Sequence, residues 1–200
     1  MFDESYWEER YSSHEHVWSG RPNVQLVAET SELTPGTALD VGCGEGADAV
    51  WLAERGWKVT AVDYSQTALE RGAVNDPTKS VQWVQGDMNT WDPGQQFDLI
   101  SSQFTHPPDG PRQILFARLA GMVAPGGTLL IVAHHPSDME TGVRPLKMPE
   151  LFYTAEEVAD SLPKDEWEIV TAEARPRLEK HKGEGQEVTV HDTVLRARRT

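Results

Sequence analysis

Three alternating glycines, Gly42, Gly44 and Gly46, follow the apolar run Ala38-Leu39-Asp40-Val41 and lead straight into a helical pattern. At a strand-to-helix junction, glycine permits positive φ and close backbone approach. The helix N-terminus behind the loop adds free N–H groups for a polar or anionic ligand. A nucleotide-like cofactor fits that description. Three glycines in five residues exceed what a tight turn requires, and Cys43 between the first two needs only to be small. Lys58-Val59-Thr60-Ala61-Val62-Asp63 is a second buried-strand run, and its terminal carboxylate stands 17 residues beyond Gly46. One helix and one returning strand fill that interval. Asp63 is therefore expected beside the glycine loop at the carboxyl edge of a parallel sheet, where such sheets bind ligands. Its two oxygens suit the vicinal hydroxyls of a ribose, and it can also cap the next helix alongside Ser65.

Read as Gly42-Cys43-Gly44-Glu45-Gly46-Ala47, the loop also satisfies the dinucleotide pattern G-x-G-x-x-A, so the glycines alone leave a nicotinamide cofactor open. Asp40 ahead of the loop, Asp63 closing the second strand and Gln85-Gly86-Asp87-Met88 after a third run complete an ordered set. Over about residues 37 to 133 this set resembles the class I S-adenosylmethionine-dependent methyltransferases. The resemblance implies S-adenosylmethionine as cofactor, contacted by Asp40, Gly42, Cys43, Gly44, Gly46, Asp63, Tyr64, Asp87, Met88 and the segment Ser101-Ser102-Gln103. It implies that Asp40 orients the loop and the methionyl ammonium, and that backbone carbonyls of Ser101, Ser102 and Gln103 meet that ammonium. Asp87 would accept from the adenine amino group, the Met88 N–H would meet the ring, and Tyr64 would pack on it. Trp18-Ser19-Gly20-Arg21-Pro22 ahead of the motif block looks most like the tellurite-resistance, thiopurine and thiol methyltransferase-like branch, whose members methylate soft or aromatic heteroatoms. Related enzymes that methylate planar nucleobase or amide nitrogens carry Asn or Asp, then Pro-Pro, then an aromatic after the fourth strand. His106-Pro107-Pro108-Asp109 lacks the first and last of these, which argues against that substrate class.

His106, His134 and His135 fall at strand ends that open toward the site. A neutral imidazole there can take a proton from a hydroxyl or thiol, and each can equally serve only as a pocket wall. A metal held by these three with Asp138 is not expected, because the paired acids and Asn of the divalent-metal catechol branch are not recognisable. The function implied is methyl transfer from S-adenosylmethionine to sulfur, oxygen or a similar heteroatom of a small molecule. The donor is already activated, so the protein mainly aligns the nucleophile and excludes water. The alternatives are an NAD-dependent oxidoreductase and a non-catalytic S-adenosylmethionine-binding regulator.

The elements that must position these residues follow an α/β alternation. Strands are expected at 37–41, 58–63, 81–85, 97–101 and 127–133, and helices near 46–55, 65–74 and 112–123, with Pro125-Gly126-Gly127 ending the last helix. Thr154-Ala155-Glu156-Glu157 is a capping-box pattern opening a short helix. Glu166 to Ala174 and His191 to Arg198 alternate like strands on either side of the stretch 176–186 and predict an antiparallel C-terminal hairpin. The expected fold is a doubly wound, mostly parallel seven-stranded sheet. A single domain, 1–200, divides into a helical cap (1–36), a cofactor-binding core (37–133) and a substrate-side loop with the hairpin (134–200). Within the cap, 5–11 and 22–29 read as helices. Its aromatics Tyr6, Trp7, Tyr11 and Trp18 lack surrounding aliphatics, so residues 1–20 are expected to fold over the cofactor as a lid, with Tyr11 and Trp18 among its contacts, the alternative being a terminal helix docked permanently on the sheet.

Composition narrows the setting. The chain has 200 residues, 38% of them hydrophobic, enough for one sizeable core. Eighteen Lys and Arg against 32 Asp and Glu leave a net charge of −14, which opposes binding to nucleic acid or an anionic membrane. One cysteine permits no internal disulfide, and the first residues lack the basic and apolar pattern of a secretory signal, so a cytoplasmic location is expected.

Overall fold

The structure, a computed structural model, describes residues 3–105, 112–141, 149–180 and 187–200. Its centre is one sheet of β1 (Thr37–Val41), β2 (Lys58–Asp63), β3 (Gln82–Gln85), β4 (Phe97–Gln103), β5 (Val123–His134), β6 (Trp167–Lys180) and β7 (Glu187–Arg199). The strand order is β3-β2-β1-β4-β5-β7-β6. The first five strands pair in parallel, whereas β7 runs antiparallel between β5 and β6. This is the expected class I methyltransferase sheet with its reversed terminal hairpin.

Strands buried on both faces read as near-continuous apolar runs, and successive residues point to opposite layers. Ala38, Leu99, Leu130, Val132 and Val194 meet Leu26 of α2 (Val24–Thr30) and Trp51 and Leu52 of α3 (Ala47–Glu54). Leu39, Ile100, Ile131 and Leu195 face the other way, onto Leu115, Phe116 and Leu119 of α5 (Arg112–Gly121) and Val158 of α6 (Ala155–Ala159). α4 (Gln66–Asn75) and α1 (Glu4–Ser12) lie together near the β3 edge. Ser65 caps α4 through its hydroxyl, which accepts from the Ala68 N–H, and Thr154 with Glu157 forms the anticipated capping box on α6.

Three expectations shift. Pro125-Gly126-Gly127 does not end α5, which stops at Gly121; it lies inside β5, where the register with β4 slips between Phe97 and Leu99. Gly126 takes a positive φ of 78° and Gly127 sits 3.0 Å, measured from an added Cβ, from the Asp98 carbonyl oxygen, so the glycines build a bulge. β6 runs on through Pro176 to Lys180 instead of breaking at 176. It is an edge strand, where a missing N–H removes no ladder bond on the open side. α2 begins after Asn23, whose side chain accepts from the Gln25 N–H, so Pro22 precedes the cap and is not in the first turn.

In sequence the chain passes from β1 outward to β2 and β3, then returns to the other side of β1 as β4. That reversal opens a crevice beyond the carboxyl ends of β1 and β4, the place where sheets of this kind hold ligands.

Candidate cofactor site

The glycine loop leaves the end of β1 and folds onto the end of β2: Gly42 N and Cys43 N both donate to the Val62 carbonyl, at 2.9 and 3.1 Å. Gly42, Gly44 and Gly46 have φ of 68°, 52° and 79°, a conformation that disfavours any side chain. Asp63 ties the loop to the next helix. One carboxylate oxygen accepts from Gly44 N at 2.8 Å and the other from Ser65 N at 2.9 Å. Burial pushes its carboxyl up, against the opposing effect of those N–H groups.

Asp40, one residue before the end of β1, is buried, and its Oδ2 has no hydrogen-bond partner. Burial, and then the charges of Asp48 and Asp63, raise this carboxyl well above the usual carboxylate range. Across the crevice, Gln103 donates from Nε2 to Ser101 Oγ at 2.8 Å, while its buried Oε1 has no partner. Above the loop, the Tyr11 hydroxyl accepts from Trp18 Nε1 at 2.8 Å. Burial, with the charge of Asp63, keeps this phenol protonated far into the alkaline range, so its own hydrogen remains for donation.

These groups fit the amino-acid end of S-adenosylmethionine. Asp40 Oδ2 and Gln103 Oε1 are buried oxygens that an ammonium would pair with, its charge offsetting the burial that raises the Asp40 carboxyl, and one buried hydroxyl donor stands over the loop. A buried acceptor without a partner costs about 1–3 kcal/mol, so such groups mark a place where a ligand completes the network.

Toward β3, Asp87 Oδ1 accepts from Tyr64 Oη at 2.6 Å, Asn89 N at 2.8 Å and Asn89 Nδ2 at 3.0 Å. Burial would raise this carboxyl, yet those donors hold it below the ordinary value. Met88 is buried beside Gly42. Cys43 is half-buried, and burial followed by Asp63 and Asp40 pushes its thiol well up, which makes it a poor nucleophile. Ser102 Oγ donates to Thr105 Oγ1, which donates to the Val41 carbonyl, tying β4 to β1.

Of the three histidines, His106 lies outside the described residues. His134 is buried at the end of β5, its ring 4.7 Å from that of Phe104 and 5.8 Å from that of Phe152. Phe104 itself has a positive φ of 52°, a strained value for a bulky residue and one that recurs at functional sites. His135 acts locally. Its Nδ1 accepts from Ser137 N at 3.3 Å and caps the short helix Pro136–Glu140. Among the described residues no group of three or more His, Cys, Asp or Glu is placed to hold a metal ion.

Several residues at the site carried no local signal. Trp83, in β3, lays its ring against Gly46 and Gly72, and so gives Gly46 a packing reason for being glycine as well as any ligand contact. Glu45, Arg71 and Asp48 secure the N-terminal segment from outside the motif glycines. Asp48, half-buried in the first turn of α3, accepts from Asn23 N at 2.6 Å, and burial raises its carboxyl to about 6. Between its ordinary value near 3.8 and about 6 the folded chain therefore binds this proton more tightly than the unfolded chain. Its favourable contribution is present below that window and is lost as pH rises through about 6. Asp48→Asn keeps an oxygen for the Asn23 N–H and removes the charge. It is expected to raise stability at pH 8 by about 1–2 kcal/mol, with no gain at pH 4, in urea unfolding at the two pH values.

A methyltransferase-domain model matches residues 38–127, the span holding the glycine loop, Asp63 and Asp87. The chain is 31% identical over 151 residues to a probable thiol methyltransferase 2 of Arabidopsis thaliana, covering 71% of this chain and 66% of that protein. It is 36% identical over 126 residues to an uncharacterized methyltransferase of Mycobacterium tuberculosis, covering 60% of this chain and 64% of that protein. The chain belongs to the class I S-adenosylmethionine-dependent methyltransferases. It thus spans about two thirds of the length of these curated relatives. In fold it superposes on the N-methyltransferase NodS from Bradyrhizobium japonicum WM9, in complex with S-adenosyl-L-homocysteine, with a TM-score of 0.73 at 18% identity, covering 98% of each chain.

Proposed function

We propose that this methyltransferase moves a methyl group from S-adenosylmethionine to a sulfur, oxygen or similar heteroatom of a small molecule. The observation that carries the proposal is the pair of unpartnered buried acceptors, Asp40 Oδ2 and Gln103 Oε1, beside the glycine loop at the β1–β4 reversal. Asp40, Gln103 and Tyr11 would hold the amino-acid end, Asp63 the ribose, and Tyr64, Asp87 and Met88 the adenine side. Bound there, the cofactor supplies a methyl on a sulfonium whose leaving group is neutral. The chain's own residues then have to exclude water and align the acceptor in line with that methyl. The likeness to a protein named as a thiol methyltransferase supports a soft acceptor atom. The net charge of −14 supports a small acceptor rather than nucleic acid. Among the described residues no helix is long and apolar enough to cross a membrane. The single cysteine, which permits no internal disulfide, supports a cytoplasmic setting. The division into cap, core and substrate-side hairpin belongs to the same proposal.

Titration calorimetry should give binding of S-adenosylmethionine and none of NAD. A panel of small thiols and phenols should then release S-adenosylhomocysteine. Binding without release on any acceptor would favour the regulator alternative, and binding of NAD instead would overturn the proposal.

With the cofactor on the β2–β3 side, the acceptor is left the β4–β5 side, where Phe104, His134 and Phe152 stack. We take His134 as part of that wall. His134→Phe keeps a flat ring and removes proton transfer. A general base is worth about 10²–10⁴-fold, so turnover within about tenfold of wild type is expected, with a changed KM for the acceptor. A hundredfold loss of kcat at saturating acceptor would make His134 the base.

A further inference from the structure

We infer that Glu45 and Arg71 form a clasp that closes the segment from Ser13 to Trp18, which follows α1, over the bound cofactor and sets how long the cofactor stays. This rests on the cofactor reading above and extends it to regulation of the same crevice.

The geometry starts with the cover. An atom placed as Cβ on Gly44 would lie 2.7 Å from the Tyr11 hydroxyl and 3.2 Å from Trp18 Nε1, so a ligand reaching this loop backbone passes beneath both side chains. Tyr11 ends buried, yet Trp18 is 50% exposed, as a ring resting on a surface would be. Ser12 ends α1, and Ser13 to Val17 form turns and bends whose first two residues bond back to the helix, Ser13 N to the Glu9 carbonyl and His14 N to the Tyr11 carbonyl.

Arg71 and Glu45 tie the stretch across to α4 and the glycine loop. Arg71 Nη2 donates to the carbonyls of Tyr11, at 2.9 Å, and His14, at 2.7 Å. Its Nη1 donates to Glu45 Oε1 at 2.9 Å. The Glu45 carboxylate in turn accepts from Val17 N at 3.2 Å and from Trp18 N at 3.1 Å. One ion pair, with side chains 23% and 10% exposed, therefore grips both ends of the irregular stretch. The planar guanidinium suits this work, because a single fork reaches two carbonyls and a carboxylate at once. Glu45 is itself a residue of the glycine loop, so the clasp joins the cover directly to the ligand-binding backbone.

Helix α1 has a separate attachment. Glu8 accepts from Ser65 Oγ at 2.6 Å and Thr67 N at 3.3 Å, and also pairs with the Thr67 hydroxyl. The stretch from Ser13 to Trp18 can thus swing while α1, which carries Tyr11, stays on α4. Release of the clasp frees the cover without unfolding the helix.

The test is the dissociation rate of S-adenosylhomocysteine, followed by stopped-flow tryptophan fluorescence, for wild type, Arg71→Gln, Arg71→Lys, Glu45→Gln and the double Gln variant. Arg71→Gln is expected to speed dissociation about tenfold, with association unchanged or faster, because charge-assisted bonds to the cover are lost. Arg71→Lys should fall between, since an ammonium keeps the ion pair but cannot fork over two carbonyls. The double variant should release no faster than Arg71→Gln alone, as partners in one network do not add. General damage would instead slow association and lower the thermal midpoint. Should Arg71→Gln fail to fold, Glu45→Gln carries the same prediction. Wild type that does not bind S-adenosylhomocysteine refutes the cofactor reading. Wild type that binds, with folded variants releasing within twofold of it, overturns the clasp.

Discussion

Asp63→Ala is expected to weaken S-adenosylmethionine binding by about a hundredfold and to lower the unfolding free energy by about 2–4 kcal/mol. The first effect follows from the place of the carboxylate beside the glycine loop, where each oxygen keeps a lone pair after accepting one backbone N–H. The second follows from those same bonds, because alanine leaves Gly44 N and Ser65 N buried without an acceptor. Asp63→Asn separates the two. Its amide oxygen still accepts one N–H, and loss of the charge removes the burial penalty that raises this carboxyl in the folded chain. Stability should therefore stay within about 1 kcal/mol of wild type while affinity falls about tenfold, read by urea unfolding and calorimetry on the same preparations. An Asp63→Asn variant that binds as tightly as wild type would leave Asp63 as a loop tie only and remove it from the ribose.

How far the fold was legible depends on the distance between a residue and the partner that explains it. β1 and β2 are decided by their own apolar runs, and their bounds, Thr37–Val41 and Lys58–Asp63, coincide with the runs in the sequence. Ser65 and Thr154 act on N–H groups three residues away, so their caps could be read locally. Pro125-Gly126-Gly127 carries a local turn signal, yet it lies inside β5 at a slip in register with β4, where a side chain on Gly127 would meet Ala124 and Val123 as well as the Asp98 carbonyl. Pro176 reads as a break until the strand order shows that β6 has a free side.

The site divides in the same way. Asp40, Asp63, Asp87 and the loop glycines form an ordered pattern, and the structure gathers them at one edge of the sheet. The groups that hold the cover do not. Arg71 reaches carbonyls 57 to 60 positions away, and Glu29 of α2 meets Arg175 and Thr171 across more than 140 residues. No period or spacing encodes such pairs, because burial and charge choose them only after the chain has folded.

Trp83 gives the largest stability prediction. Its ring lies where a side chain on Gly46 or Gly72 would go, with an added Cβ on Gly46 2.6 Å from Cζ3 and one on Gly72 2.5 Å from the same atom. Gly46 also has a φ of 79°, whereas Gly72 sits within helix α4. Gly46→Ala therefore meets the indole and takes a left-handed backbone, and is expected to cost about 3–5 kcal/mol. Gly72→Ala meets the same ring but gains about 1 kcal/mol of helix propensity, so a net loss of about 1–2 kcal/mol is expected. Trp83→Leu vacates the space. In that background Gly72→Ala should become neutral or stabilising, while Gly46→Ala should keep only its backbone strain of about 1–2 kcal/mol. Urea unfolding of the six proteins gives the coupling energies directly. A contrasting result is well defined: if glycine at 46 served the cofactor alone, Gly46→Ala would leave the free protein as stable as wild type and act only on affinity. A large loss of stability that Trp83→Leu relieves would instead make β3 part of the machinery that shapes the glycine loop before any ligand arrives.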